Sequence, residues 1–158
     1  MTKAVERILF PTDFSDTAAV ALEYACELTS ALGATLHVIH VLENTNPTGG
    51  WTAGKKYTPP PAPLTEGMEH EVQKELQTML AKRQPLPQKS VLAVKTGSPL
   101  VEIVRYAVDQ HIDLIVMGTH GHGPIAHVLI GSVADNVIRR APCPVLTVRH
   151  PSHKLVQP

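Results

Sequence analysis

Between Gly118 and Asp135 the chain reads GTHGHGPIAHVLIGSVAD, with four glycines, three histidines and no acidic residue before the last. Glycine permits positive φ and lets a backbone N–H approach a bound group closely. A run of such N–H groups leading into a helix start forms an anion site, and the helix dipole strengthens it. Gly118, Gly121 and Gly123 follow an apolar run, IDLIVM, and Gly131-Ser132 stands where a short helix begins. The spacing suits a two-part phosphate cradle joined by HGPIAHVLI. The competing explanation is a tight turn and a capped helix start, since Ser132-x-x-Asp135 also fits a capping box.

Other phosphate motifs fit poorly. A Walker A loop requires Gly-Lys-[Ser/Thr], and no lysine lies between Lys95 and Lys154. Gly121-x-Gly123-x-x-Ala126 matches a relaxed dinucleotide fingerprint, but it follows the fourth strand rather than the first. Pro124 interrupts it, and no acid follows Asp135. His120-Gly121-His122 has the wrong spacing and place for the H-x-G-H of nucleotidylyltransferases. A zinc site is also disfavoured. No carboxylate or cysteine accompanies the loop histidines, and His37 and His40, three apart on a strand, face opposite ways. No general base and no phosphate-gripping lysine are evident, so no catalytic residue is assigned.

The elements that must hold this loop follow from periodicity. Arg7 to Pro11 (RILFP) reads as a strand. Asp16 to Leu32 reads as a helix with Val20, Tyr24, Leu28 and Leu32 on its apolar side, closed by Gly33 as a C′ residue. A second strand runs from Ala34 to about Val41. Residues 43–63 hold five prolines and three glycines and read as an irregular insertion. A helix from Leu64 to about Lys82 presents Met68, Val72, Leu76 and Met79 or Leu80. Ser90 to Lys95 is a third strand. Ser98 caps a helix that has Pro99 in its first position and ends near Gln110. Asp113 to Gly118 is a fourth strand, Ser132 to Arg140 a helix, and Cys143 to Arg149 a fifth strand. Strands alternating with helices predict a parallel sheet covered on both faces, with ligands beyond the strands' carboxyl ends at a switch point. The loops after the first and fourth strands, PTDFSD and GTHGHG, are then the ones to watch.

The chain has 158 residues, enough for one domain with a real core, spanning about 1–150 with a tail at 151–158. A zero formal net charge and 4% aromatic residues argue against nucleic acid as a partner. No run reaches the roughly 20 apolar residues of a membrane span. Cys26 and Cys143 are far apart and no signal segment is evident, so reduced thiols and a cytoplasmic location are expected.

Gly118-x-x-Gly121, nine residues, then Gly131-Ser132 resembles the G-2x-G-9x-G-[ST] pattern of ATP-binding universal stress proteins. The segments RILFPTDFSDTAAVALEYACELTSALGATLHVIHV, GSPLVEIVRYAVDQHIDLIVMGTHG and LIGSVADNVIRRAPCPVLTV are similar to that family in order. The resemblance covers nearly everything except the insertion and the tail. It implies a Rossmann-like α/β fold of the adenine nucleotide alpha hydrolase type, an open five-stranded parallel sheet in order 3-2-1-4-5. It implies ATP as ligand, with Mg²⁺ held by the nucleotide and water, while AMP and ADP stay open. Asp13 would meet the ribose or adenine side, with Pro11 and Thr12 shaping that wall. Val41 would touch adenine; plain core is its rival role. Met117 and Gly118 would border the sugar and α-phosphate. Gly121, Gly131, Ser132 and Val133 would give N–H groups to the phosphates.

His120 and His122 complete the candidate set. The spacer carries His122 and His127 where many relatives have a permanent cation, so affinity is expected to rise as pH falls through about 6.5. The resemblance implies a nucleotide-dependent regulatory protein of stress survival. A slow ATP hydrolase and a nucleotide-free interaction module are the alternatives. The apolar fifth strand would be a sheet edge, so a homodimer through Pro144 to Val148 is expected. The insertion could carry Trp51 or Tyr57 as a lid.

Overall fold

The computed structural model describes residues 4–43, 50–51, 57–58, 66–119 and 131–151. Its elements are β1 (Arg7–Pro11), α1 (Asp16–Leu32), β2 (Thr35–Glu43), β3 (Gly50–Trp51), β4 (Tyr57–Thr58), α2 (Glu66–Ala81), β5 (Ser90–Gly97), α3 (Pro99–Asp109), β6 (Leu114–Gly118), α4 (Ser132–Arg140) and β7 (Val145–Val148). Five strands form one parallel sheet in the order β5-β2-β1-β6-β7. In strand-by-strand terms this is the expected 3-2-1-4-5. Within the insertion, β3 and β4 pair antiparallel as a two-residue ribbon. The Trp51 and Tyr57 side chains, and with them the lid, lie outside the described residues.

Alternation along the strands builds two cores. Ile8, Phe10, Leu36 and Val38 face α1 and α2, where they meet Ala21, Leu22, Ala25, Leu76 and Leu80. Leu9, Ile39, Val41, Ile115 and Met117 face α3 and α4, where they meet Ile103, Tyr106, Ala107 and Val137. Burial on both faces is what the continuous apolar runs of β1 and β6 require. Asp113, just before β6, pins the two central strands together at their amino ends. Its Oδ2 accepts the Glu6 and Arg7 N–H groups at 3.0 Å each.

Helix α1 departs from the expected face. Tyr24 and Leu32 are 50% and 51% exposed, Val20 and Leu28 flank the core, and the buried seam is Ala18, Ala21, Leu22, Ala25, Cys26 and Thr29. Small residues there let the helix lie close to the sheet. A strict i, i+4 line also drifts around the helix by about 40° per step, because a turn holds 3.6 residues. In α2 the expected Leu76 and Leu80 are buried, but Met68 is 40% exposed. Gly33 ends α1 as expected, at φ 63° and ψ 26°, a left-handed conformation that costs glycine little. Ser98 occupies the N-cap of α3, yet its hydroxyl caps nothing; its carbonyl accepts the Glu102 N–H at 2.9 Å. No helix among the described residues is long and apolar enough to cross a membrane.

Candidate functional site

Strand β1 lies between β2 and β6, and the chain winds outward from it in both directions. The carboxyl ends of β1 and β6 are therefore neighbours at the switch point. Two connections start there: residues 12–15 lead into α1, and the chain from Thr119 leads on to Gly131 at the start of α4.

The first connection is closed by its own side chains. The Thr12 N–H extends the ladder to the Ile39 carbonyl at 2.9 Å. Thr12 Oγ1 accepts the Phe14 N–H at 3.0 Å, and Asp13 Oδ1 accepts the Ser15 N–H at 2.9 Å. These are turns in which a short polar side chain replaces a backbone acceptor. Ser15 is the N-cap of α1, its Oγ accepting the Ala18 N–H at 3.2 Å. The polar turn leaves Asp13 half-buried at the rim and Phe14 at φ 61°, a conformation rare for a bulky residue. An imidazole completes the turn: His40 Nδ1 lies 2.8 Å from the Thr12 carbonyl, and the Phe14 and His40 rings are 4.8 Å apart.

The second connection is shaped by glycine. A Cβ on Gly118 would stand 2.9 Å from Thr17 Cγ2 and 3.2 Å from the Thr17 carbonyl carbon and oxygen. Steric closeness to the first turn of α1 thus accounts for this glycine. Beyond it, the buried Thr119 donates its N–H to the Val148 carbonyl at 3.0 Å and accepts the Gly131 N–H on its own carbonyl. That bond joins the two ends of the 120–130 segment. The Gly131 amide, expected among the phosphate donors, is committed to Thr119 in this conformation.

Gly131 is the N-cap of α4 and Ser132 its first helical residue, which overturns the capping box starting at Ser132. The Asp135 N–H bonds to the Gly131 carbonyl at 3.0 Å, and Asp135 pairs along the helix with Arg139 at 3.1 Å. With no side chain at the cap, the N–H groups of Ser132, Val133 and Ala134 make up a first turn that has no acceptor within the helix.

Of the other candidates, Pro11 and Thr12 are buried at the end of β1. Val41 and Met117, 9% and 6% exposed, share the α3–α4 core with Ala134, and Val133 packs against it. Val41, Met117 and Val133 therefore belong to one apolar layer, on the face of the sheet that α3 and α4 cover. His120, Gly121 and His122, with Gly123 and His127, lie outside the described residues. A cavity of ≈ 390 Å³ opens on the opposite face of the sheet, between Thr12, Phe14 and Ser15 of the turn and Glu75, Lys82 and Arg83 of α2 and its end. It shares only Thr12 with the candidate set.

Three residues of this region escaped the sequence. Ser15 was legible as a polar cap before a helical run. Thr17 and His40 carried no local signal, since their partners are 101 and 28 residues away. Among the other titratable groups, His37 bonds to the Tyr106 hydroxyl at 3.0 Å on the face opposite His40. Burial, and then Arg7, hold it below its ordinary range. Burial lifts the Cys26 thiol to about 11, which makes it a poor nucleophile at neutral pH. Among the described residues no group of three or more His, Cys, Asp or Glu could hold a metal ion.

Residues 4–149 match the family model of the universal stress proteins. A universal stress protein of Methanocaldococcus jannaschii is 32% identical over 146 residues, which covers 92% of this chain and 83% of that protein. Among solved structures, a universal stress protein in complex with cAMP shares the fold at 24% identity and a TM-score of 0.66, covering 93% of this chain and 98% of its own. The universal stress protein from Archaeoglobus fulgidus in complex with dAMP is 23% identical with a TM-score of 0.62, covering 92% and 99%.

Proposed function

Because the chain belongs to the universal stress protein family, we propose that it binds an adenine nucleotide at the switch point and acts as a nucleotide-dependent regulatory protein. The observation that carries this is the start of α4: Gly131 supplies no capping side chain, the N–H groups of Ser132, Val133 and Ala134 have no acceptor within the helix, and the bond from Gly131 to Thr119 sets this turn beside the end of β6. Such a turn suits a phosphate through its donors and its dipole. The apolar wall of Val41 and Met117 suits a base or sugar, and Asp13 across the rim suits ribose hydroxyls. The relatives solved with cAMP and dAMP support the adenine class. ATP is the form we favour, with Mg²⁺ carried on its phosphates. In this reading Gly118, His120, Gly121 and His122 would complete the cradle, and Gly131 would join it only by releasing its amide from Thr119.

Isothermal titration with Mg-ATP, ADP and AMP tests the assignment. The unaltered protein is expected to bind, and a folded Gly121→Val, Gly131→Val variant is not. Absence of heat with all three nucleotides, on protein freed of co-purified nucleotide, leaves the interaction-module alternative. We also propose a homodimer through β7. It is a sheet edge, and its Leu146 is 38% exposed. A monomer mass in light scattering at micromolar concentration overturns the dimer.

A further inference from the structure

One position beyond the Pro11–Ile39 pair, Thr12 stands level with His40. Here a side chain takes over from the backbone ladder. The Thr12 N–H bonds to Ile39, and its carbonyl is held by His40 Nδ1 at 2.8 Å. A carbonyl only accepts, so Nδ1 carries the hydrogen. The same ring lies against Phe14, centroids 4.8 Å apart and planes tilted by 40°. Phe14 is the residue that turns left-handed, at φ 61°, a conformation that persists in a bulky residue only where its surroundings hold it. His40 therefore grips the turn on both sides of Asp13, by the carbonyl before it and the ring after it. Its own neighbour in β2 is Val41, on the opposite face.

We propose that His40 is the positioning residue of the nucleotide cleft. It fixes the Asp13 turn relative to the Val41 wall, so that ribose and base contacts are set by one side chain of β2. The proposal rests on the nucleotide assignment above. It requires no change of charge on the ring, only a donor at Nδ1 and a flat face for Phe14.

Two variants and one spectrum test it. A long-range ¹H–¹⁵N correlation of the unaltered protein is expected to show the His40 proton on Nδ1. His40→Phe keeps a ring against Phe14 and removes the donor. It should shift the Phe14 and Ser15 amide resonances and weaken AMP or Mg-ATP binding about tenfold, the scale of one hydrogen bond in a partly buried site. His40→Asn returns an N–H near the place of Nδ1. It should move both amides back toward their original positions, in part only because Phe14 loses its ring contact, and bring the affinity to within about threefold of the original. A proton on Nε2 with Nδ1 bare overturns the proposal, as do unmoved amides and unchanged affinity in His40→Phe. Should His40→Phe fail to fold, the tautomer and the His40→Asn spectrum carry the decision. If the unaltered protein binds no nucleotide, the nucleotide assignment fails. The tautomer and amide shifts then still decide whether His40 holds the turn.

Discussion

The two connections at the switch point are built on opposite plans. From Thr12 to Ser15, side-chain oxygens accept the amides of Phe14, Ser15 and Ala18, and an imidazole takes the Thr12 carbonyl. At the other connection, Gly118 and Gly131 bring no side chains, one backbone bond ties Thr119 to Gly131, and the first turn of α4 keeps its amides. A turn that satisfies itself is rigid and suits positioning. A helix start without a cap suits an incoming acceptor. The contrast predicts that substitutions which remove a bond closing the first connection act on stability, whereas those at the start of α4 act on binding.

Gly118, where the end of β6 touches the first turn of α1, should cost most to replace. In Gly118→Ala the added carbon meets the Thr17 side chain at 2.9 Å and Thr17 backbone atoms at 3.2 Å. Overpacking of this kind costs roughly 1–3 kcal/mol. Urea unfolding is expected to show that loss, with partial recovery when Thr17→Ser removes the methyl but leaves the backbone contacts. Full stability in the single variant would mean that α1 and β6 are less closely docked than described.

The paired serines separate the two plans directly. Ser15→Ala removes a working cap and should cost about 1 kcal/mol. Ser132→Ala removes a hydroxyl that is not the helix cap and should stay within about 0.5 kcal/mol, while weakening Mg-ATP because that hydroxyl would be one more donor to the phosphates, as the family resemblance implies. Equal stability losses in thermal melts would erase the distinction.

His37 supplies a control away from both connections. Its folded-state pKa is lowered, by burial first and Arg7 second. Above about pH 6.5 the ring is neutral in both states and contributes no slope. Below that, the unfolded chain takes up a proton that the folded chain resists, so stability falls until the folded pKa is reached. Unfolding curves from about pH 7.5 to about 5.5 should show this decline, and His37→Gln should flatten its share of it. The comparison separates fold-linked titration from any gain in nucleotide affinity through His122 and His127.

Asp13→Asn should perturb the fold least. Asparagine keeps the Oδ1 that accepts the Ser15 N–H, so stability should hold within about 0.5 kcal/mol. Loss of the charged acceptor should weaken nucleotide roughly 5- to 10-fold by titration calorimetry. A stability loss as large as that of Ser15→Ala would make Asp13 a purely structural residue.

Much of the architecture was legible because it is written in local pattern. The strand and helix segments, the Gly33 stop and the two loops at the switch point follow from periodicity and turn chemistry. The sheet order came from family resemblance and agrees with the strand pairing. Errors fell where one residue type serves two geometries. Ser132 and Asp135 have capping-box spacing, but Gly131 takes the cap position. Ser98 has a cap's identity without its bond. Tyr24 and Leu32 are apolar and regularly spaced, yet the close seam of α1 belongs to alanines.

Among the described residues, the sequence by itself determined which stretches form the five strands of the main sheet and the four helices, though not the β3–β4 ribbon of the insertion. It also determined which family the chain resembles and which residues crowd the two loops. Those properties are encoded in side chains a few positions apart. Only the tertiary structure decided that Gly118 is required by Thr17 and that Thr119 joins Gly131 across the loop. It alone brought His40 onto Thr12. These contacts join residues between 12 and 101 positions apart. Their energies depend on how closely parallel strands and their helices pack, and no local pattern in the chain records that.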